Sequence, residues 1–343
     1  MIDWSLVKFP LLHAPIYSGE VVSISSDGVE EWRSPKRMLA TGSYEKRLSV
    51  KSIGGNGQGM ATHLWLNGNP SKFLQGHNVF GSNDLTALLY DVFLIVTAQF
   101  GLKPSEEELN RIKTGDYDLL MMDVNFSFDL PSRADVLAFI RAMEFKAKTR
   151  HGRPSMKGGT LYFGKTSEYW AIKLYCKAEE IQTKNGKLPM ELQGKGIENW
   201  AENKLRIELR LLSKELKRLN IIKVNQLTTE ITQQIFNDYL QRIDMTQQIK
   251  INDDTLLKMP ARLRSTYTLW QEGHDLRNLI SRTTYHRHRK DLKQYGINID
   301  LRPESIEKSN VVPLVRILEA KPASIPEWAF EQNLVHPSAI YAG

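Results

Sequence analysis

A chain of 343 residues with 41% hydrophobic content can bury a sizeable core, and its length suggests two or three domains. Its single cysteine, Cys176, excludes an internal disulfide and any Cys-x-x-Cys or zinc-knuckle site, so a metal would have to use carboxylates and histidine. No apolar stretch is long enough to span a bilayer and no secretory pattern opens the chain, so a cytosolic protein is expected; a net charge of +7 favours a polyanionic partner.

In chain order, residues 62–66 read as a strand and a helix is expected to begin near Asp84. The loop between them holds His77, with Gly76 and Gly81 suggesting tight turns. A lone loop histidine is usually structural or simply solvated, and a metal ligand is the less common role. Residues 122–130 alternate, with Met122, Val124, Phe126 and Phe128 on one side and Asp123, Asn125, Ser127 and Asp129 on the other, the period of a half-buried strand. Lys146, Lys148, Arg150, Arg153 and Lys157 run through a Gly- and Pro-containing stretch that reads as a loop and a candidate phosphate-contacting surface. Residues 170–177 repeat the alternating design, with Lys173, Tyr175 and Lys177 on the polar side. Residues 182–196 read as a loop, and residues 205–211 supply a third such strand, whose polar side carries Arg206, Glu208 and Arg210.

Antiparallel sheets commonly bury one face and leave the other wet. If the three strands are neighbours, one polar face gathers carboxylates, a tyrosine between two lysines, and arginines. Such a set can cut a phosphodiester: a nucleophile, cations to offset phosphoryl charge, and donors to hold the backbone in line. Lys173 and Lys177 would favour the phenolate of Tyr175. Asp123 and Glu208 could bind a hard divalent cation, and the same two acids could instead pair with arginines of the sheet surface. Tyr175 could likewise be an amphipathic tyrosine with no chemistry.

A helix-like segment at residues 228–243 precedes a boundary near residues 252–255. Between Lys258 and Lys293 nine Lys or Arg face three acids, a local excess of six charges, nearly that of the whole chain. There the pattern runs helix 261–271, Gly273, short helix 275–280 and a basic helix 283–295 ended by Gly296, the outline of a helix-turn-helix. Thr284, Arg287 and Lys290 would face DNA. His286 and His288 flank Arg287 and read as part of a charged surface, and residues 311–318 read as a strand. The expected organisation is α+β: a central antiparallel sheet with flanking helices at residues 1–252, a mainly helical DNA-binding region at 253–300, and an extended segment at 301–343 packing back on the body.

The run at positions 72–85, Lys-Phe-Leu-Gln-Gly-His-Asn-Val-Phe-Gly-Ser-Asn-Asp-Leu, resembles the replication proteins of filamentous phages, the gene II family. Met-Ile-Asp at positions 1–3, Asn-Val-Val-Pro-Leu-Val-Arg at 310–316 and Pro-Glu-Trp at 326–328 resemble family segments in the same order. The resemblance implies a rolling-circle initiator with a sheet of the relaxase type. Such a protein nicks one strand of duplex phage DNA, stays joined to the 5′ phosphate through a tyrosine, and later rejoins the displaced circle. The family's tyrosine motif falls on Tyr175 with Lys177 and Glu180, its Arg-x-Glu strand on Arg206 and Glu208, and its Arg-x-Asp strand on Met121 and Asp123, where the arginine is lost. By the same resemblance Asp123, Glu208 and His77 would hold magnesium or manganese, Tyr175 and Lys177 would be catalytic, and Lys173, Arg206 and Arg210 would contact DNA. It further implies duplex and single-stranded origin DNA, a host helicase, polymerase and single-strand binding protein as partners, and the host bacterial cytoplasm as the location. A competing expectation is an origin-binding or regulatory phage protein without chemistry.

Overall fold

The computed structural model of the chain describes residues 1–16, 19–149, 152–184, 186–245, 259–272, 274–295, 297–300 and 322–337. The strand expected at 311–318, the boundary at 252–255, Gly273, Gly296 and Arg150 lie outside them. The described architecture is α+β.

The strands are β1 (Ile2–His13), β2 (Glu20–Ile24), β3 (Glu30–Pro35), β4 (Met38–Thr41), β5 (Arg47–Ile53), β6 (Ala61–Gly68), β7 (Asp118–Asp129), β8 (Ala147–Lys148), β9 (Ser155–Lys157), β10 (Thr160–Phe163), β11 (Trp170–Cys176), β12 (Lys204–Leu212) and β13 (Asp244–Met245). Nine of them form one antiparallel sheet in the order β4-β5-β6-β1-β7-β12-β11-β10-β9. β2 pairs with β3, and β8 with β13, outside it. The three alternating strands of the sequence, β7, β12 and β11, are therefore adjacent.

In chain order the helices of this part are α1 (Pro70–Gln75), α2 (Leu85–Gln99), α3 (Glu106–Lys113), α4 (Arg133–Lys146), α5 (Lys177–Gln182), α6 (Ile197–Ala201), α7 (Ser213–Arg218) and α8 (Thr229–Leu240). Of these, α2, α4 and α8 pack on one face of the sheet, hereafter the inner face. The side chain of Asp84 caps α2 by accepting from the Ala87 amide, and Leu85, Leu88, Leu89, Val92, Phe93 and Val96 make its buried stripe. The stripes of α4 (Val136, Phe139, Ile140, Met143) and α8 (Ile235, Phe236, Tyr239, Leu240) join it against Val124, Ile172, Leu174, Ile207 and Leu209 of the sheet. Each such side chain contributes about 1.5–3 kcal/mol when fully buried, so this face fixes the register on which the opposite face depends.

The opposite, outer face departs from the wet surface expected. Residues 322–337, including α12 at Glu327–Glu331, lie over part of it with the loop that follows α1. The Ala323 amide donates to the Ser127 carbonyl at 2.7 Å, and Ala329, Leu334 and Val335 form a second apolar cluster with Val79, Phe80, Ile181 and Leu192. Asn125, Ser127 and Arg206 are consequently buried.

The basic stretch at 146–157 is not a continuous loop. Lys146 ends α4, Lys148 lies in β8 and Lys157 in β9. Beyond the body, α9 (Ala261–Gln271), α10 (Leu276–Leu279) and α11 (Arg282–Lys293) stand close to the expected positions. Leu263, Tyr267, Trp270, Leu276, Tyr285 and Leu292 give them a core of their own. No helix among the described residues is long and apolar enough to cross a membrane.

Candidate active site

A cavity of about 480 Å³ opens on the outer face where β1, β7, β12, β11 and β10 lie side by side. Tyr175, Lys173, Glu208, Asp123 and Arg210 line it, with Asp3 and Trp4 from β1. Register explains the grouping: Lys173 is the cross-strand partner of Glu208, and Arg210 that of Asp123.

Asp3 arrives by a bulge. Ile2 pairs with Val124 and Trp4 with the adjacent Asp123, so β1 carries one extra residue there. That extra residue sets Asp3 and Trp4, neighbours in sequence, on the same cavity. The Asp3 carboxylate accepts from the Asn69 side chain and from Asn78 Nδ2 at 3.0 and 3.1 Å. Burial, then the charge of Glu208, push its pKa up.

The carboxylates are already matched with cations. Arg210 donates from Nε and Nη2 to the two oxygens of Asp123 at 2.7 and 2.6 Å, a bidentate fork. Lys173 Nζ donates to Glu208 and lies 3.5 Å from Asp123. Burial works against that ammonium, but Glu208 and Asp123 outweigh it and hold its pKa above the usual lysine value. Glu208 is pushed up to about 7, by burial first and Asp123 second, with Lys173 opposing.

Tyr175 Oη donates to Glu208 Oε2 at 3.4 Å. The expectation that flanking lysines would favour its phenolate is not met. Burial, then Glu208, raise the phenol well above its ordinary pKa, because Lys173 is spent on the carboxylates. The site therefore offers Tyr175 a proton acceptor, Glu208, titrating near neutrality.

Lys177 and Arg206 do not line this cavity. The strand ends at Cys176, and Lys177 begins α5, where its fully buried Nζ donates to Glu180 at 2.7 Å and to Asn78 Oδ1 at 3.1 Å. Lys177 thus fixes the amide that holds Asp3. Arg206, 1% exposed, donates to Asn125 Oδ1 at 2.6 Å and to the Val79 carbonyl at 2.8 Å, so it anchors a loop and presents no surface to DNA.

His77 is likewise not brought to Asp123 or Glu208. Gly76 ends α1 at φ 84°, where a β-carbon would meet the Tyr44 ring, and the turn sends His77 under residues 322–337. Its Nδ1 accepts from the Val79 amide at 3.2 Å, leaving Nε2 to donate to the Leu334 carbonyl at 2.9 Å. Both ring nitrogens are used, and burial lowers its pKa to about 4.

Asp123 and Glu208 offer the hard oxygen donors that magnesium or manganese prefers. As they stand they do not fit an ion: Lys173 bridges them, Arg210 holds both oxygens of Asp123, and no group of three or more His, Cys, Asp or Glu among the described residues could hold a metal. The alternative reading, both acids paired with arginines of the sheet surface, holds for Asp123 with Arg210, while Glu208 pairs with Lys173.

On α11, Thr284, Arg287 and Lys290 recur every third residue; Arg287 and Lys290 are exposed and Thr284 is half-buried, its Oγ1 accepting from Ser281 at 2.9 Å. His288 points into the small core, 2.8 Å from Thr266, while His286 is exposed, so this pair shares no site. Sequence reasoning missed Asp3, Asn69, Asn78 and Trp4. Asp3 left one signal, an acid beside the apolar Ile2 at the start of a strand.

Residues 1–234 match a family model described as the N-terminal part of a phage replication-associated protein, and residues 251–335 match the model of the C-terminal part of the same protein. The replication-associated protein of Enterobacteria phage I2-2 is 43% identical over 328 residues, 95% of each chain. With family models matching both parts and a relative this similar along nearly its whole length, the chain belongs to the gene II family of phage replication-associated proteins.

Proposed function

We propose that the chain initiates phage replication by nicking one strand of duplex DNA at the origin, with Tyr175 as nucleophile. The observation that carries this reading is the Tyr175 hydroxyl directed at Glu208 in a cavity also lined by Lys173 and Arg210. Family membership supports the replication role.

In the reaction, Tyr175 Oη attacks the scissile phosphorus and its proton passes to Glu208, whose pKa of about 7 suits an acceptor at neutral pH. A tyrosine O–P bond forms and the P–O3′ bond breaks. The departing 3′ oxygen takes a proton from solvent at the cavity mouth, and the 5′ phosphate stays on Tyr175. Lys173 and Arg210 offset charge on the phosphoryl oxygens. The phosphotyrosine keeps the bond energy for rejoining, and the free 3′ end would serve host polymerase, helicase and single-strand binding protein in the bacterial cytoplasm. Arg287 and Lys290 of α11 would hold the duplex. No step is assigned to a metal ion, since an ion on Asp123 and Glu208 must first displace Lys173.

The test is incubation with the phage's own supercoiled replicative-form DNA, with magnesium or manganese present. Nicked circles and a denaturant-stable protein–DNA adduct are expected from the unaltered chain. Tyr175→Phe should lower both by at least about a thousandfold, the scale of losing a nucleophile. Equal nicking by the two proteins would refute the assignment, and binding without nicking would favour a regulatory protein.

A further inference from the structure

The outer face continues past the cavity onto β1, β6 and β5, and there its composition changes from acid–base pairs to aromatic rings and cations. Trp4 stands at the junction. It is 38% exposed, lines the Tyr175 cavity, and is held by a 2.6 Å hydrogen bond from its indole nitrogen to Asn67 Oδ1. Further along, the register sets Lys8, Trp65 and Lys51 side by side on β1, β6 and β5. The Arg37 guanidinium lies 5.0 Å and the Lys51 ammonium 5.1 Å from the Trp65 ring centre.

This grouping has the marks of a surface made for an anion. Lys8 has Asp118 at 3.4 Å, but neither Arg37 nor Lys51 has a carboxylate within ion-pair reach among the described residues. Lys51 keeps only Ser34, at 3.4 Å, and its pKa is lowered by burial and by Arg37 beside it. Two like charges held together on an indole repel each other, and a phosphate relieves that repulsion. An exposed, orientation-locked tryptophan beside fixed cations is what a single strand needs: every base has a face to stack, and the backbone tracks the positive charge.

We infer that Trp4 and the Lys8–Trp65–Lys51–Arg37 row form a single-strand DNA track that feeds the strand flanking the scissile phosphate into the Tyr175 cavity. Trp4 stacks one base at the cavity mouth. Trp65, itself 8% exposed, serves as the pedestal that orients Arg37 and Lys51 toward the backbone. The inference rests on the nuclease reading for where the track leads, while its binding property is measured separately.

The probe is a fluorescent oligothymidylate of roughly 20 nucleotides, long enough to cross one such surface, titrated into the full chain by anisotropy, with a blunt duplex of equal length in parallel. Trp4→Ala should weaken oligothymidylate binding about tenfold and Trp4→Phe, which keeps a stacking ring, by no more than about threefold. The double variant Arg37→Ala/Lys51→Ala, at sites away from the packed core, should reduce the slope of log affinity against log salt by about 1.4, which is about 0.7 per cation removed. Duplex affinity should stay unchanged in all three. Unaltered oligothymidylate affinity and salt slope, or an equal loss on the duplex, would overturn the track. Normal nicking by Tyr175→Phe would sink the nuclease reading, while the oligothymidylate affinities of the Trp4 and Arg37/Lys51 variants decide the track.

Discussion

The outer face of one sheet carries two regions built from the same residue types and put to opposite uses. Around Arg206, amides and cations are sealed beneath residues 322–337 and the His77 loop, with Arg206 tied to Asn125 and the Val79 carbonyl and His77 to the Leu334 carbonyl. Four residues along the same strand, Arg210 looks into an open cavity with Tyr175, Lys173 and Glu208. The alternating pattern of β12 is indifferent to the distinction. What separates framework from site is the cover, supplied by chain segments more than a hundred residues away. Perturbing the open region should therefore change rate, and perturbing the sealed region should change stability.

The largest effect that sharpens this contrast is expected at Glu208. Replacing it by Gln leaves a group of the same shape that cannot take the Tyr175 proton, and loss of a general base costs about 10²–10⁴-fold in rate. The pH profile is the stricter reading. Glu208 must be ionised to act, so nicking by the unaltered chain should fall as pH drops below its pKa of about 7. Glu208→Gln should show a low rate without that fall. A variant that kept the acid limb would move the titrating group elsewhere.

A second, smaller effect belongs to the sealed region. The folded pKa of His77, about 4, lies below the ordinary value of 6.5, because burial and the Val79 amide on Nδ1 require a neutral ring. A group with a depressed folded pKa contributes its full stability above the unfolded value and loses it as pH falls toward the folded one. The window is therefore pH 6.5 down to about 4. Within it the unaltered chain should lose on the order of 3 kcal/mol more than His77→Gln, whose amide can still donate to the Leu334 carbonyl. Urea unfolding of both proteins across that range reads the difference. Parallel curves would mean that His77 does not bolt residues 322–337 to the body.

The two regions also differ in how far they can be read from sequence. The alternation of β7, β11 and β12 is a local, period-two signal, and once those strands are neighbours, Tyr175, Lys173, Glu208 and Asp123 must share a face. The three helices of the basic region are legible for the same reason, from local caps and apolar spacing. Arg206 and Arg210 are not separable, since both are polar-face arginines of one strand and only the distant cover buries one of them. In the sequence Lys177 continues the alternation of β11; in the fold its place at the start of α5 hides it under Asn78. Asp3 enters the cavity through a bulge, an irregularity of pairing that no periodicity announces.

The smallest effect concerns the cation between the two acids. Lys173 sits where a divalent ion on Asp123 and Glu208 would have to sit, so an ion and the ammonium compete for the same oxygens. Lys173→Met keeps an unbranched side chain of similar length and removes the competitor. If an ion uses these carboxylates, manganese should bind Lys173→Met more tightly than the unaltered chain, by about tenfold, a free-energy change of roughly 1.4 kcal/mol. Part of the Coulomb gain is returned because Glu208, relieved of the lysine, holds its proton more firmly, and so the advantage should grow from about pH 6 to about pH 8 as that proton leaves. Titration of manganese followed by its electron-spin resonance signal measures this without turnover. Equal affinity in the two proteins would place any ion needed for nicking away from Asp123 and Glu208, and would leave Lys173 and Arg210 as the resident charges facing the scissile phosphate.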